Sequence, residues 1–479
     1  MTTAAARDVL WTQAEADDAT GGHSTRPWQA TGVSIDSRTV VEGDLFVAVR
    51  GPRFDAHDFV DQAFANGAAC ALISRIPRRH PDHKPLLIVD DTYSALRKLA
   101  RSARQRSDAR RVAVTGSVGK TSTKEALAAA LQPSGKVAAT VGNLNNLWGV
   151  PLSLARMPRD AAFGVYEIGM NHAGEITPLA RMVRPDVAII TAVEAVHLEF
   201  FDSVEDIARA KAEVFDGLRR RGTAILNRDS RFFDLLAAEA AGRSIAHIVS
   251  FGAHDDADVR LIAYEAGVPS RVTADVMGER LDFTLALTGR HNAVNAMAVL
   301  ATVKVLGADV GAAGVALGAM EAPAGRGKRL RIALPDGGAA LVIDDSYNAS
   351  PASMRAAFKV LGQASPGAGG RRIAVLGDML ELGHGSARAH AELADDLADS
   401  GVDVVLTTGD NMMHLYDALP RGHRGGHAAR AEDLIPLLTH LLRDGDVVLV
   451  KGSNSQKLGI VVRALAAPDA NAEHAVTDH

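Results

Sequence analysis

VAVTGSVGKTSTKEALAAAL (112–131) decides the fold. A short β-branched apolar run passes through a loop with glycines at 116 and 119 into an alanine-rich helical run. In that layout the loop's backbone N–H groups turn inward and the helix N-terminus adds positive potential, so the segment predicts a phosphate-binding loop. Gly116, Ser117, Val118, Gly119, Lys120, Thr121 and Ser122 are its nucleotide-facing residues. Lys120 is placed to reach the β- and γ-phosphates and the Thr121 hydroxyl to take Mg²⁺. One position departs from the full Walker pattern: its first glycine falls at Val114. No NKxD base-reading motif occurs, which weakens a GTPase reading.

Outward from this loop the chain alternates strand-like and helical runs. FGVYEIG (163–169), VAIIT (187–191), TAIL (223–226), HIVSF (247–251) and DFTLAL (282–287) are expected strands. Helical patterns lie between most of them, which argues for a parallel, doubly wound sheet closed by a helix at 292–306. Upstream, LFVAVR (45–50), ACALIS (69–74) and PLLIVDD (85–91) alternate with helical segments as a small α/β unit that ends in the basic stretch RSARQRSDARR (101–111). Downstream, LRIALPDGGAALVIDD (330–345) reads as a hairpin turning on Asp336-Gly337-Gly338. RRIAVLGD (371–378), VDVVLTTG (402–409) and DVVLVKGS (446–453) complete a second, Rossmann-like unit, and the polar tail 468–479 is expected to fray. The fold class is therefore α/β in three domains, with boundaries expected at 1–108, 109–320 and 321–479.

Composition limits the function classes. The 479 residues are 47% hydrophobic and 23% charged, which excludes a disordered or fibrous chain. A net charge of −5 gives no general attraction to nucleic acid, and 4% aromatics offer few stacking platforms. One cysteine, Cys70, cannot form an internal disulfide and fits a reducing cytoplasm. No apolar run reaches membrane-spanning length, and MTTAAARDVLWTQAEADD (1–18) lacks the apolar core of a signal peptide.

Three further residues carry chemistry. SVEDIARAKAEVFDGLRR (203–220) reads as an amphipathic helix opened by Ser203 and Asp206, with Ile207, Val214, Phe215 and Leu218 on its apolar stripe. Lys211 falls on that stripe. Either its ammonium snorkels to the rim, or burial lowers its pKa and leaves a reactive neutral amine. Glu167 ends a strand at the carboxyl edge, where α/β sheets place ligands, and can join Thr121 as an oxygen ligand for Mg²⁺. His197 follows the strand VAIIT and is read either as a structural histidine or as a neighbour of this group.

GSVGKTSTK (116–124), GNLNNLWGVPLSL (142–154), YEIGMNHAGEI (166–176), VHLEFF (196–201), ARAKAEV (208–214) and GRHNAVNAMA (289–298) occur in the order found in the Mur ligases. The chain resembles that family, the ATP-dependent amino-acid-adding enzymes of cell-wall precursor synthesis, over almost its whole length. GVSIDSRTVVEGDLFVAVRG (32–51), DDSYNASPASMRAA (344–357), VLGDMLELG (375–383) and KGSNSQKL (451–458) narrow the likeness to the branch that adds D-alanyl-D-alanine to a UDP-linked tripeptide.

The resemblance implies a UDP-sugar domain, a central ATP domain and a Rossmann-like domain that helps bring in the amine. It implies that Lys211 is carbamylated and, with Glu167 and His197, helps hold metal, so that ATP and two Mg²⁺ ions serve the reaction with Lys120, Lys211, His197 and Glu167 at its centre. It places His291, Asn292 and Asn295 near the adenine and Asp345 and Asn348 on the third domain's nucleotide-facing loop. Arg326 falls at the domain junction, Asp36, Ser37 and Arg38 face the UDP-sugar, and Asn143 and Asn146 face substrate. Two positions depart from the family pattern: NASP stands at 348–351 for NANP, and Asp55-Ala56-His57 for DGH. The partners expected are small molecules, with no nucleic acid and no membrane insertion, and the enzyme is expected to be a cytoplasmic monomer. A sibling ligase that adds a diamino acid, or a folylpolyglutamate-type ligase, is the alternative; the absence of DNPR counts against the first.

Overall fold

The computed structural model describes residues 8–51, 54–77, 80, 83–196, 198–335 and 337–467. His197, Asp336 of the expected turn, the first seven residues and the 468–479 tail lie outside the described residues.

The nine-stranded central sheet decides where the site forms. Its first seven strands run parallel in the order Val137–Ala139, Phe163–Glu167, Arg110–Thr115, Val187–Ile190, Thr223–Asn227, His247–Gly252, Val259–Glu265. Parallel strands are covered on both faces and read as continuous apolar runs, and all four residues of Val187–Ile190 are buried. Pairing sets Glu167 opposite Val114 and Ile190 opposite Thr115. Three strands thus end level, and the phosphate loop, Glu167 and the 191–196 loop emerge side by side at one carboxyl edge.

Two antiparallel strands, Ser270–Val276 and Glu279–Leu285, extend this sheet. The sequence reading found neither the strand 259–265 nor the strand 270–276, because their exposed outer faces carry Arg, Tyr, Glu and Thr among the apolar residues. The helix expected at 292–306 forms as Arg290–Val305, but it does not close the unit. A second helix, Val310–Ala319, packs on the strand Glu279–Leu285 and on the helix Lys120–Leu131. Its run of small residues, VGAAGVALGA, hides any apolar stripe. The expected helix 203–220 is α-helical only over Val204–Ala212 and tightens to 3₁₀ over Glu213–Gly217. At that point the Glu213 carboxylate turns to accept the N–H groups of Gly174 (2.6 Å) and Thr177 (3.1 Å).

A five-stranded sheet precedes this unit, in the order His23–Ser24, Leu86–Ile88, Cys70–Ile73, Asp44–Val47, Gly32–Ser34. A six-stranded sheet follows it, Lys328–Ala333, Ala339–Asp345, Val447–Lys451, Arg372–Gly377, Val404–Thr408, Arg424–Ala428, parallel except for the first pair, which is the expected hairpin. The first unit is locked to the second. Helix Thr92–Gln105 packs on helix Gly149–Ala155, and Leu152 and Ala155 join the core of Leu96, Leu99 and Trp11. The Trp11 indole N–H donates to Ala155 O at 3.0 Å, and Arg156 Nε donates to Val33 O at 2.6 Å. Trp11→Ala removes the largest side chain of this junction and should lower the stability of the first unfolding transition by about 3–5 kcal/mol, measured by urea denaturation.

Candidate active site

The phosphate loop is pinned by the loop that follows the neighbouring strand Val187–Ile190. Gly116 (φ +150°) and Gly119 (φ +82°) adopt left-handed backbone, and a Cβ on them would run into the Thr191 hydroxyl and the Asn295 amide respectively. Thr191 Oγ1 donates to Val118 O (2.7 Å), Ser117 N–H donates to Ala192 O (2.7 Å), and Ser117 Oγ accepts from Glu194 N–H (3.0 Å). Lys120 opens the helix Lys120–Leu131, and its Nζ donates to Gly116 O (2.6 Å) and Ser117 O (3.2 Å). Burial pushes its pKa down; Glu167 opposes that shift and the Arg326 guanidinium adds to it.

Glu167 is 1% exposed. Its Oε1 accepts from Asn145 Nδ2 at 2.7 Å, while its Oε2 is buried and has no partner. Such an oxygen calls for a cation. The Thr121 hydroxyl, which accepts from Arg326 Nη2 at 3.2 Å, lines the same cavity. Among the described residues no three His, Cys, Asp or Glu side chains gather as a metal cage. Lys211 does not line the cavity and is 2% exposed. Burial drives its pKa well below the ordinary lysine range and the neighbouring Lys120 charge adds to the shift. Its burial stands against the snorkelling alternative.

A cavity of about 890 Å³ opens above these groups between the central and third sheets, lined by Lys120, Glu167, His291, Arg326, Asp345 and Leu380 among others. The Arg326 guanidinium stacks over the Tyr347 ring at 4.3 Å while reaching Thr121, so one side chain spans the cleft. Asp345 Oδ2 accepts from Lys451 Nζ at 2.6 Å, and the same ammonium donates to Asn348 O at 2.9 Å. Lys451 therefore joins the two residues that the sequence reading paired. Lys451 opens KGSNSQKL (451–458), where nothing local marks it for this role.

Other expected residues are distributed less simply. His291, Asn292 and Asn295 all line the cavity, but Asn292 Nδ2 turns back to Thr288 O (2.8 Å). Asn143 lies beside the Tyr347 hydroxyl. Asn146 lines the cavity, yet its Oδ1 accepts from Trp148 N–H (3.1 Å) and Gly149 N–H (2.9 Å), capping the next helix. Asn145, which the sequence reading did not single out, is the asparagine that holds Glu167. Asp36, Ser37 and Arg38 are absent from the cavity. They follow the edge strand Gly32–Ser34, where Asp36 pairs with Arg38 through Nε (2.9 Å) and Nη2 (2.7 Å) and presents an exposed guanidinium. Ser37 Oγ is turned inward, donating to Gln62 Oε1 at 2.9 Å. At the departure from DGH, His57 is buried between Asp55 Oδ1 (2.6 Å) and Ser74 N–H (2.9 Å).

A phosphate loop, a buried carboxylate oxygen with no hydrogen-bond partner and a third unit that reaches over both define a nucleotide-dependent enzyme built across domains. Residues 29–104 match the Mur ligase family catalytic domain, 114–303 the Mur ligase middle domain, and 328–454 the Mur ligase glutamate ligase domain. The chain belongs to the Mur ligase family. It is 34% identical, over 95% of its length and 99% of the relative's, to the UDP-N-acetylmuramoyl-tripeptide–D-alanyl-D-alanine ligase of Rickettsia prowazekii. Among solved structures it is similar to MurF from Acinetobacter baumannii, at 30% identity and a TM-score of 0.81, covering 95% of this chain and 98% of that one. It is also similar to MurF ligase from Thermotoga maritima in complex with ADP, at 28% identity and a TM-score of 0.74, covering 91% and 97%. Lys120→Ala should cut turnover at least about a hundredfold while thermal unfolding stays within a few degrees, as read by steady-state phosphate release and calorimetry.

Proposed function

We infer that the protein is a ligase that joins D-alanyl-D-alanine to UDP-N-acetylmuramoyl-tripeptide, with ATP converted to ADP and phosphate, and so serves peptidoglycan synthesis. The observation that carries this reading is the single cavity onto which the phosphate loop, the unpartnered Glu167 oxygen and Arg326 converge, in a chain with full-length likeness to named ligases of this kind. Residues 1–108 are assigned to the UDP-linked substrate, 109–320 to ATP and 321–479 to the incoming amine. The lone buried thiol of Cys70 and the UDP-linked substrate fit the cytoplasm. Among the described residues, no helix is long and apolar enough to cross a membrane.

A carboxylate is a poor acyl donor because its leaving group would be oxide. Attack of the tripeptide carboxylate on the γ-phosphorus makes an acyl phosphate and releases ADP. The dipeptide amine then adds to the acyl carbon, and the tetrahedral oxyanion collapses to the amide with loss of phosphate. The first step brings two anions together, so its barrier is largely electrostatic. Lys120, the loop N–H groups and Arg326 meet that charge, and Arg326 also ties the third unit over the site before water can hydrolyse the acyl phosphate. The nucleoside is assigned to His291, Asn292, Asn295, Asp345 and Asn348.

The Thr121 hydroxyl and Glu167 Oε2 suit Mg²⁺, a hard cation that takes oxygen ligands. Carbon dioxide bonded to the neutral Lys211 amine, with loss of one proton, would give a carbamate; with His197 it is assigned to a second Mg²⁺. When bound, these ions neutralise phosphate charge.

Three outcomes test this reading. Phosphate should be released only when both UDP-linked tripeptide and dipeptide are present, and mass spectrometry should find the joined product. Product formed with a free diamino acid or glutamate instead would favour the sibling or folate-type ligase. Lys211→Arg should be as inactive as Lys211→Ala, and added formate or acetate should restore part of the Ala variant's activity; near-normal turnover of Lys211→Arg removes the carbamate. Arg38→Ala should raise the apparent KM for the UDP-linked substrate several-fold and leave that for ATP within about twofold.

A further inference from the structure

The loop helix carries a second lysine that the mechanism does not use. Lys124 lies one helical turn beyond Lys120, on the same side of the helix Lys120–Leu131, and is fully buried. Its ammonium has three close oxygen partners: Thr140 O at 2.6 Å, Gly142 O at 3.2 Å and the Glu125 carboxylate at 2.6 Å. A buried ammonium is costly to desolvate, and an apolar side chain of similar length would fill the same space without that cost.

The two carbonyls belong to the segment that also controls Glu167. The Thr140 hydroxyl accepts from Glu167 N–H at 3.2 Å. Three residues past Gly142, Asn145 donates its amide to Glu167 Oε1 at 2.7 Å and accepts Gly169 N–H on its carbonyl at 2.9 Å. Segment 140–145 therefore holds Glu167 at its backbone and at one carboxylate oxygen, and the Lys124 ammonium pins that segment from beneath. The other oxygen, Oε2, is left without a partner.

We propose that Lys124 is a positioning residue for a divalent-cation site: it fixes segment 140–145 so that Asn145 occupies Oε1 of Glu167 and Oε2 is the oxygen that would be left to a cation. One helix then serves the site twice, Lys120 at the phosphate loop and Lys124, through segment 140–145, behind the Glu167 carboxylate. The proposal rests on the reading that Glu167 holds a cation, and the experiment separates the two.

Mn²⁺ binding to the full chain with ADP present is followed by electron paramagnetic resonance, alongside ADP affinity and thermal unfolding. Lys124→Met and Asn145→Ala should each weaken Mn²⁺ binding about tenfold or more, the scale on which groups supporting a metal ligand act. ADP affinity should stay within about twofold, and the double variant should be no worse than the poorer single one, because both act through the same carboxylate. If Lys124→Met does not fold, Lys124→Gln carries the same test. Unchanged Mn²⁺ binding in the lysine variant, whether or not its melting temperature falls, overturns the proposal, and so does a full additive loss in the double variant. Mn²⁺ binding by Glu167→Gln as tight as in the unmodified protein removes the cation reading beneath it.

Discussion

Positive charge crowded into a desolvated cleft is the condition on which the rest of this structure turns. Lys120, Arg326 and the amine of Lys211 lie near one another, with Glu167 the carboxylate among them. Where water is scarce an ammonium is costly to keep charged, so burial lowers its pKa, and a nearby like charge lowers it further. Lys120 and Lys211 are both shifted in that direction. The phosphates of a nucleotide would relieve the imbalance, and so would the carboxylate proposed on the Lys211 amine. Lys120, Arg326 and the phosphate loop line one cavity, an arrangement that suits anionic reactants.

The fold supplies this concentration through strand register. Glu167, Thr115 and Ile190 end their strands at one level, so three loops with different duties share one edge. None of them is held by its own sequence alone. The 191–194 loop grips the phosphate loop, and segment 140–145 grips Glu167. The third sheet completes the charge balance from outside the central unit, through Arg326 over Tyr347 and through the Lys451 ammonium between Asp345 and Asn348. The first unit contributes rigid attachment through Trp11 and Arg156, while its own exposed Arg38 stands away from the cavity.

Much of this was legible in the sequence where periodicity or a local motif dictates geometry. The glycine spacing around Lys120, the placement of Lys211 among Ile207, Val214 and Phe215, and the position of Glu167 at a strand end are local facts, and the structure has them as read. Relations between distant segments were not legible. Nothing in NLNN says which asparagine turns to Glu167 and which caps a helix; that depends on the approach of the 163–167 strand. Lys451 and Lys124 read as ordinary strand and helix lysines until the carbonyls and carboxylates that surround them are in place. The strands at 259–276 and the glycine–alanine helix at 310–319 escaped because half-exposed strands and small-residue helices carry weak patterns.

The proposed reaction depends on carbon dioxide bonding to the buried Lys211 amine, whose pKa burial and the neighbouring Lys120 charge push down. Carbon-13 NMR of the protein supplied with ¹³C-bicarbonate addresses this directly. One carbamate resonance is expected at neutral pH, lost in Lys211→Arg and kept in variants of exposed lysines. No such resonance, together with a Lys211 amine that titrates in the ordinary lysine range, would contradict it.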